Sequence, residues 1–188
     1  MKNTLLIIIS FGYLFSNGIS GVAYFEHSDD AFSLSRTYLT YKNSISDELS
    51  FQFQTDVGQI GDDDRLTAYL KKAQLDWKVS DGTKVSMGLI GMNMFNVQEK
   101  NWGNRFIAKS AMDVNKFSSS ADLGFSIAKD FGMITANLMM TNGEGFKHMD
   151  VDKNAKLSLQ LLHGEKRLDK NDGYNVGLVY SSLTKDAV

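Results

Sequence analysis

The sequence contains no cysteine and no proline, and its charges nearly cancel. Without cysteine the chain cannot form disulfide bonds, zinc–thiolate sites or thiol nucleophiles. The absence of proline fits a chain made mostly of paired strands, because proline cannot donate a hydrogen bond to a strand ladder. The net charge of −2 gives no reason to expect nucleic-acid binding.

The composition supports one folded domain. The chain has 188 residues, of which 43% are hydrophobic and 22% are charged. These proportions exclude wholesale disorder and a helical membrane protein, and the length suits a single domain. The chain therefore has either an apolar core or a lipid-facing surface to form.

The N-terminal segment has the features of a secretory signal peptide. Lys2 supplies a positive charge, an apolar run covers residues 5–16, and small residues follow around Ser20. We predict a signal peptide at residues 1–20 and a mature domain at residues 21–188. An uncleaved anchor is the alternative, although the apolar run is short for a membrane-spanning helix.

The segment 49–57 shows the pattern that dominates the rest of the chain. One parity carries Leu49, Phe51, Phe53 and Val57, and the other carries Ser50, Gln52, Gln54 and Asp56. Because successive side chains of a strand point to opposite faces, this segment is an amphipathic strand. A soluble sheet and a transmembrane β-barrel both contain such strands. In a barrel the apolar parity faces lipid and the polar parity faces water.

The same period of two predicts about nine strands along the chain. They cover residues 21–26, 31–42, 49–57, 67–79, 84–92, 119–128, 133–141, 155–162 and 173–181. The connections alternate between short turns and long loops, as periplasmic turns and external loops do in outer-membrane barrels. The connection 163–172 breaks this rule because it should be short. The longest connection, 93–118, is long enough to fold partly as helix or into a lumen.

In two predicted strands the alternation determines which face particular side chains occupy. In the strand 31–42, Phe32 shares the parity of Arg36, whereas Leu39 has the opposite parity. In the strand 67–79 the alternation places Tyr69 on the apolar face with Trp77 and places Lys72 and Lys78 on the polar face. We expect the second strand to keep one alternation throughout.

Several short motifs occur in a fixed order along the chain. They include Thr55-Asp56-Val57-Gly58, Asn101-Trp102-Gly103 followed by Arg105, and Asn142-Gly143-Glu144-Gly145. In this order the chain resembles porins of the phosphate-selective type, known as the O and P porins, over nearly the whole mature domain. The resemblance implies an outer-membrane trimer of water-filled barrels with about sixteen strands each.

The resemblance also implies that the chain is the N-terminal part of a longer protein. About nine strands are too few for such a barrel, and the alternative of a smaller closed barrel requires an even number. Phosphate selectivity in this family is attributed to a ladder of lumenal arginines with loop lysines, and this chain has four arginines. The predicted fold is therefore all-β, an incomplete antiparallel transmembrane β-barrel of meander hairpins.

Six basic residues are the predicted pore-lining groups that attract anions, since basic rings in a pore favour anions. They are Arg36, Lys72, Lys78, Lys84, Arg105 and Lys109. Arg105 and Lys109 become constriction groups if the longest connection folds inward, and are otherwise surface charges. The alternative is ordinary lumen polarity, in which Asp56, Asp76 and Asp122 cancel the field of the basic groups.

No motif for catalysis or metal binding is present in the sequence. Asp62-Asp63-Asp64 lacks the ligand spacing of an EF-hand, and the three histidines have no metal-ligand spacing. No serine stands in a G-x-S-x-G elbow, which counts against an esterase of that kind. We expect no enzyme activity, no cofactor and no metal.

The predicted function is an outer-membrane porin for passive diffusion of small polar or anionic solutes, with phosphate among the candidates. Its expected location is the bacterial outer membrane. Its expected partners are membrane lipid, the solutes and, in a full-length protein, two further copies in a trimer, but not nucleic acid. Two alternatives remain. A barrel hydrolase requires serine and histidine to meet at the outer rim, at His27 or His148. A secreted β-protein that binds a small ligand requires the apolar parity to pack inward.

Overall fold

The computed structural model describes residues 5–12, 18–28, 31–58, 65–105, 107–148 and 154–182. Within these residues the chain forms ten strands and three short helices. The strands are β1 (Leu5–Gly12), β2 (Gly18–Ser28), β3 (Ala31–Ser44), β4 (Leu49–Gly58), β5 (Thr67–Ser80), β6 (Thr83–Gly91), β7 (Ala121–Asp130), β8 (Ile134–Thr141), β9 (Lys156–Gly164) and β10 (Asn175–Ser181). The helices are α1 (Asn93–Asn96), α2 (Gln98–Trp102) and α3 (Ala111–Val114).

The strands form one open antiparallel sheet in sequence order, from β1 to β10. The predicted all-β meander is confirmed, and each of the nine predicted strands corresponds to one of β2–β10. The longest connection, between β6 and β7, contains the three helices, so the prediction of partial helix is also confirmed. Among the described residues, no helix is long and apolar enough to cross a bilayer.

Strand β1 is the tenth strand, and it lies within the predicted signal peptide. It pairs with β2 from Leu5 opposite His27 to Gly12 opposite Ser20. The rest of the predicted signal peptide between these strands, residues 13–17, lies outside the described residues, as do residues 1–4. Removal of residues 1–20 is a processing event, and it stays a prediction.

A β-bulge in β3 explains why its parity changes. Tyr24 of β2 is opposite Arg36, and the next residue, Phe25, is opposite Leu34, so Ser35 is an extra residue in β3. An extra residue shifts the later side chains to the opposite face. Even-numbered Phe32 is therefore exposed before the bulge, and odd-numbered Leu39 is exposed after it.

The chain divides into two compact units, Met1–Ala73 and Gln74–Val188, with the boundary inside β5. We call them the N-terminal unit and the C-terminal unit. The fully buried apolar cluster is in the C-terminal unit and consists of Ile90, Met92 and Met139. Most of the large apolar side chains on β2–β10 lie outside this cluster and are exposed or half-buried.

In both units the strands expose their apolar parity. Phe53 on β4 is 40% exposed and Leu138 on β8 is 54% exposed. The other exposed apolar strand residues include Leu39, Trp77, Met87, Leu123, Phe125, Ile127, Met140, Leu157, Leu159, Leu161, Val176 and Leu178. A soluble antiparallel sheet buries this face instead and leaves the polar face in water.

The opposite parity carries polar side chains that are largely buried. They are Thr40, Asp56, Ser86, Asp122, Ser126, Thr141, Ser158 and Gln160. We call this side the polar face of each unit. For β4 the predicted division holds, because Phe53 is on the exposed side while Asp56 is only 2% exposed.

The prediction that Tyr69 lies on the apolar face of β5 is wrong. The Tyr69 hydroxyl donates a hydrogen bond to Asp56 on the polar face at 2.9 Å, and its neighbour Leu70 is exposed. Farther along β5, Trp77 and Val79 are exposed, whereas the even-numbered Asp76 accepts a hydrogen bond from Ser86, which is 4% exposed on the polar face. The alternation therefore changes within β5, which happens when an irregularity interrupts the pleat.

Candidate functional site

Asp56 is the centre of a buried polar cluster on the polar face of the N-terminal unit. One carboxylate oxygen accepts hydrogen bonds from the Thr37 backbone N–H at 3.3 Å, and the other from the Tyr69 hydroxyl at 2.9 Å. Arg36 Nη1 and Lys71 Nζ each lie 3.8 Å from Asp56 Oδ2. One carboxylate thus pairs with two cations that are themselves largely buried.

The phenol oxygen of Tyr38 joins the two cations of this cluster. Lys71 Nζ donates a hydrogen bond to Tyr38 Oη at 3.0 Å, and Arg36 Nη1 donates to the same oxygen. The charges of Arg36 and Lys71 are therefore held by a neutral oxygen on one side and by Asp56 on the other. The cluster positions positive charge on the polar face and offsets part of it with Asp56.

The sequence pattern did not identify Lys71 as a member of this site. If β5 alternated regularly along its whole length, Lys71 would lie on the apolar face. The alternation changes within β5, and Lys71 therefore lies on the polar face. The predicted neighbour Lys72 is half-buried. Arg36, in contrast, was identified from the sequence, and it lies in the cluster.

In the C-terminal unit, the predicted pore residue Lys84 forms an ion pair. Its Nζ lies 3.2 Å from Asp76 Oδ1. Asp76 also accepts hydrogen bonds from the Ser86 hydroxyl and, at 2.9 Å, from Gln74 Nε2. Asp76 therefore offsets the charge of Lys84, whereas Lys78 is exposed. The pore-lining role of both lysines stays a prediction.

The β6–β7 connection lies against the polar face of the C-terminal unit through Asn93 at the start of α1. Asn93 is completely buried. Its Nδ2 donates to the Asn137 carbonyl at 3.1 Å and to Ser158 Oγ at 3.2 Å, and Asn137 Nδ2 donates back to Asn93 Oδ1 at 2.8 Å. Gln160 Nε2 donates to the Asn93 carbonyl at 3.0 Å. These bonds fix α1 on β8 and β9.

The same connection reaches the opposite end of the sheet. Asn101 in α2 accepts a hydrogen bond from the backbone N–H of Leu168 at 3.2 Å, and Leu168 belongs to the β9–β10 connection. That connection is joined to the β7–β8 turn, because Lys166 Nζ lies 2.7 Å from Asp130 Oδ2. Successive connections of an antiparallel meander alternate between the two ends. The β6–β7 connection therefore crosses the polar face.

The crossing connection has its own ion pairs around Arg105. Arg105 Nη2 donates to Asp113 Oδ2 at 3.0 Å, and Arg105 Nε lies 3.8 Å from Glu99 Oε2. Ser110 caps α3 by accepting a hydrogen bond from the Asp113 backbone N–H at 3.4 Å, and its hydroxyl donates to Glu99. The two carboxylates offset the charge of Arg105. Lys109 is exposed, and its role as a constriction group stays a prediction.

The polar faces provide hydroxyl, amide and paired charged groups, which is chemistry for contact with small polar solutes. No three metal-ligating side chains come together in the described part of the chain, and Asp62-Asp63-Asp64 lies outside it. Comparison with known proteins finds no matching family model, no matching curated protein and no matching solved structure.

Proposed function

We propose that the protein is a bacterial outer-membrane porin, whose polar faces line a water-filled channel for passive diffusion of small polar or anionic solutes. One observation carries this proposal: the strands expose their apolar side chains and bury their polar ones. A membrane-spanning barrel has this arrangement, because lipid covers its outer surface and water fills its interior. A soluble protein of the same composition gains most of its stability from the reverse arrangement.

The strand lengths support the membrane setting. A tilted strand needs about 9–11 residues to cross a bilayer. Strand β4 has 10 residues, and β3 and β5 each have 14. Open strand edges are not tolerated in hydrocarbon, because their backbone groups have no hydrogen-bonding partner there. The proposal therefore includes closure of the sheet in the membrane.

The ion pairs favour weak charge selectivity. Asp56 offsets Arg36 and Lys71, Asp76 offsets Lys84, and two carboxylates offset Arg105. A ring of unpaired basic groups selects anions strongly, whereas paired groups do so less. We therefore propose general diffusion of polar solutes with a mild preference for anions, and phosphate is one candidate among them.

The crossing connection favours small solutes. It lies on the polar face between Asn93 and Asn101, where a channel through the C-terminal unit would pass. A folded segment inside a lumen narrows it and excludes larger molecules by size. The proposed channel is therefore selective mainly by size.

Reconstitution into planar lipid bilayers tests the proposal. The full chain, refolded in detergent, is expected to produce stepwise ion currents, and its unboiled form is expected to migrate differently from its boiled form on a gel. A boiled sample added at the same concentration is the control. Insertion into the bilayer without conductance would exclude the proposed channel. A protein that stays dispersed and folded without detergent would exclude the proposed location in a membrane.

The two alternatives have less support in the structure. A secreted ligand-binding protein requires the apolar parity to pack inward, and Phe53 and Leu138 are exposed instead. A barrel hydrolase requires a histidine poised at a serine. His27 lies against the Phe32 ring, with ring centroids 4.6 Å apart, and His148 is exposed. If His27→Ala and His148→Ala leave the rate of hydrolysis of a test ester unchanged, neither histidine serves a hydrolase site and this alternative is excluded.

A further inference from the structure

The polar face of the N-terminal unit contains a cavity beside the Asp56 cluster. Its volume is about 240 Å³. The side chains that line it belong to β2, β3 and β4. The polar ones are Tyr38, Thr40, Lys42, Gln52 and Gln54 on β3 and β4, and Ser20 on β2, which is the last residue of the predicted signal peptide. Removal of that peptide would leave the groups on β3 and β4 in place.

The strand register brings these polar groups together. Thr40 of β3 is opposite Gln54 of β4 and Ser20 of β2, and Lys42 is opposite Gln52. Directly opposed side chains on one face have Cβ atoms about 4.5–5.5 Å apart, so their polar ends converge. Tyr38 lines the cavity and also belongs to the Asp56 cluster. The cavity is thus a product of regular pairing on the polar face.

The lining suits a ligand that both donates and accepts hydrogen bonds. Amide and hydroxyl groups do both, and so does each hydroxyl of a sugar or polyol. Gln54 Nε2 donates to Thr40 Oγ1 at 2.7 Å, which holds the amide and leaves its oxygen to accept from a ligand hydroxyl. None of the residues that line the cavity is acidic.

The charges around the cavity favour a neutral ligand. Tyr38 lines the cavity, and its oxygen already accepts hydrogen bonds from Arg36 and Lys71. Those cations pair with Asp56, and the one basic residue that lines the cavity, Lys42, is exposed. The cavity therefore presents neutral dipoles more than a concentrated positive charge.

We propose that this cavity binds a neutral polyhydroxylated solute of about the size of a hexose. Its volume is below the range of about 300–1,000 Å³ typical of sites for drug-sized ligands, which agrees with a smaller molecule. The inference rests on the proposed function in one respect, since it names a class of solute that the channel would admit. The binding itself is a property of β3 and β4, and it can be measured without a membrane.

Equilibrium binding to the detergent-folded full chain tests the site, with glucose as the probe and ligand-observed NMR as the measurement. Gln54→Leu and Gln52→Leu are each expected to weaken glucose binding about threefold to tenfold, since each removes a neutral hydrogen-bonding partner. The matched control is Asn43→Leu, because Asn43 lies on β3 opposite Phe51 of the apolar parity. Heat-modifiable gel migration checks that each variant folds, and Gln52→Ser replaces Gln52→Leu if it does not.

The outcomes separate the site from the channel. Saturable glucose binding that Gln54→Leu weakens and Asn43→Leu leaves intact supports the site. No saturable binding, equal binding by all variants, or binding of inorganic phosphate in place of glucose overturns it. Conductance without glucose binding would exclude the proposed sugar site but not the proposed channel. Glucose binding without conductance would exclude the proposed channel but not the sugar site.

Discussion

The side-chain oxygen of Asn101 accepts a hydrogen bond from the backbone N–H of Leu168 at 3.2 Å. The two residues are 67 positions apart and belong to connections that leave the sheet at opposite ends. Their contact means that the β6–β7 connection passes over the polar face and does not extend away from the sheet. In the proposed channel, a solute that moves along this face would meet the connection.

Asn101→Ala removes this contact and is expected to release the far end of the crossing connection. The loss of one hydrogen bond lowers the free energy of unfolding by only about 1 kcal/mol. The effect on conductance should be larger, with higher single-channel currents and more open-state noise. Asn104→Ala in the same connection is the control, because Asn104 is exposed. Identical currents for the two variants would contradict a crossing role for Asn101.

Asn93→Leu is expected to destabilise the C-terminal unit by about 2–3 kcal/mol, because it removes the buried hydrogen bonds that Asn93 makes with Asn137 and Ser158. Urea unfolding of the detergent-folded protein measures this change. Asn104→Leu is the matched substitution at an exposed position, with an expected change below about 0.5 kcal/mol. Equal stability of the two variants would show that the Asn93 bonds do not hold α1 on the sheet.

Asp56→Asn is expected to destabilise the N-terminal unit by about 3 kcal/mol, since it leaves two largely buried cations without their carboxylate. It should also increase the preference for anions, which a reversal potential in a salt gradient measures. Asp76→Asn is the comparison, because the Asp76–Lys84 pair is more exposed. Its expected cost is below about 1 kcal/mol. If Asp76→Asn lowered the free energy of unfolding more than Asp56→Asn does, the expectation that the more buried carboxylate contributes more would be contradicted.

Phe53→Lys is expected to lower the stability of the protein folded in lipid vesicles by about 2–4 kcal/mol, if Phe53 lies near the middle of the bilayer. Gln54→Lys, one position away on the polar face and opposite the neutral Thr40, should lower it much less. Denaturant titration in vesicles compares the two variants. If Gln54→Lys costs more than Phe53→Lys, the apolar face does not contact lipid.

Acid is expected to loosen the β9–β10 connection. The pKa of Asp169 is lowered by hydrogen bonds from the Arg167 guanidinium, and the pKa of Glu165 is lowered chiefly by the backbone N–H of Arg167. A carboxylate whose pKa is lower in the folded state adds stability above its unfolded value, about 4, and this stability is lost as the pH falls below it. The protection factors for hydrogen exchange of residues 165–174, which correct for the pH dependence of the intrinsic exchange rate, should therefore fall below about pH 4. Asp169→Asn should reduce this pH dependence, and an unchanged profile would contradict the assignment.

Much of the fold was predictable from the alternation alone. Regular strands such as β4 and β9 repeat apolar and polar residues without interruption, so both their existence and their two faces follow from the period of two. The bulge at Ser35 left a visible trace, because the parity of apolar residues changes between Phe32 and Leu39. The change of alternation within β5 left a weaker trace, since Leu70 is even-numbered whereas Trp77 is odd-numbered, and it decided where Tyr69 and Lys71 lie.

The candidate site was predictable only in part. Arg36 was recognised as a basic residue on a strand. The groups around it come from three strands, with Tyr38 on β3, Asp56 on β4, and Tyr69 and Lys71 on β5. Asn93 and Asn101 carry no sequence signal, because an asparagine in a loop looks the same whether it is solvated or buried. Their contacts join residues far apart in the chain, and a pattern of short period contains no information about such pairs.

The sequence by itself determined an antiparallel meander of amphipathic strands, because the period of two fixes which residues share a face of each strand. The tertiary structure decided which face is buried, where Asp56 finds its cations, and where the long connection lies. These outcomes depend on register and on contacts between distant segments. Pairing, bulges and loop packing set them through backbone hydrogen bonds and steric fit, which the alternation of side chains does not specify.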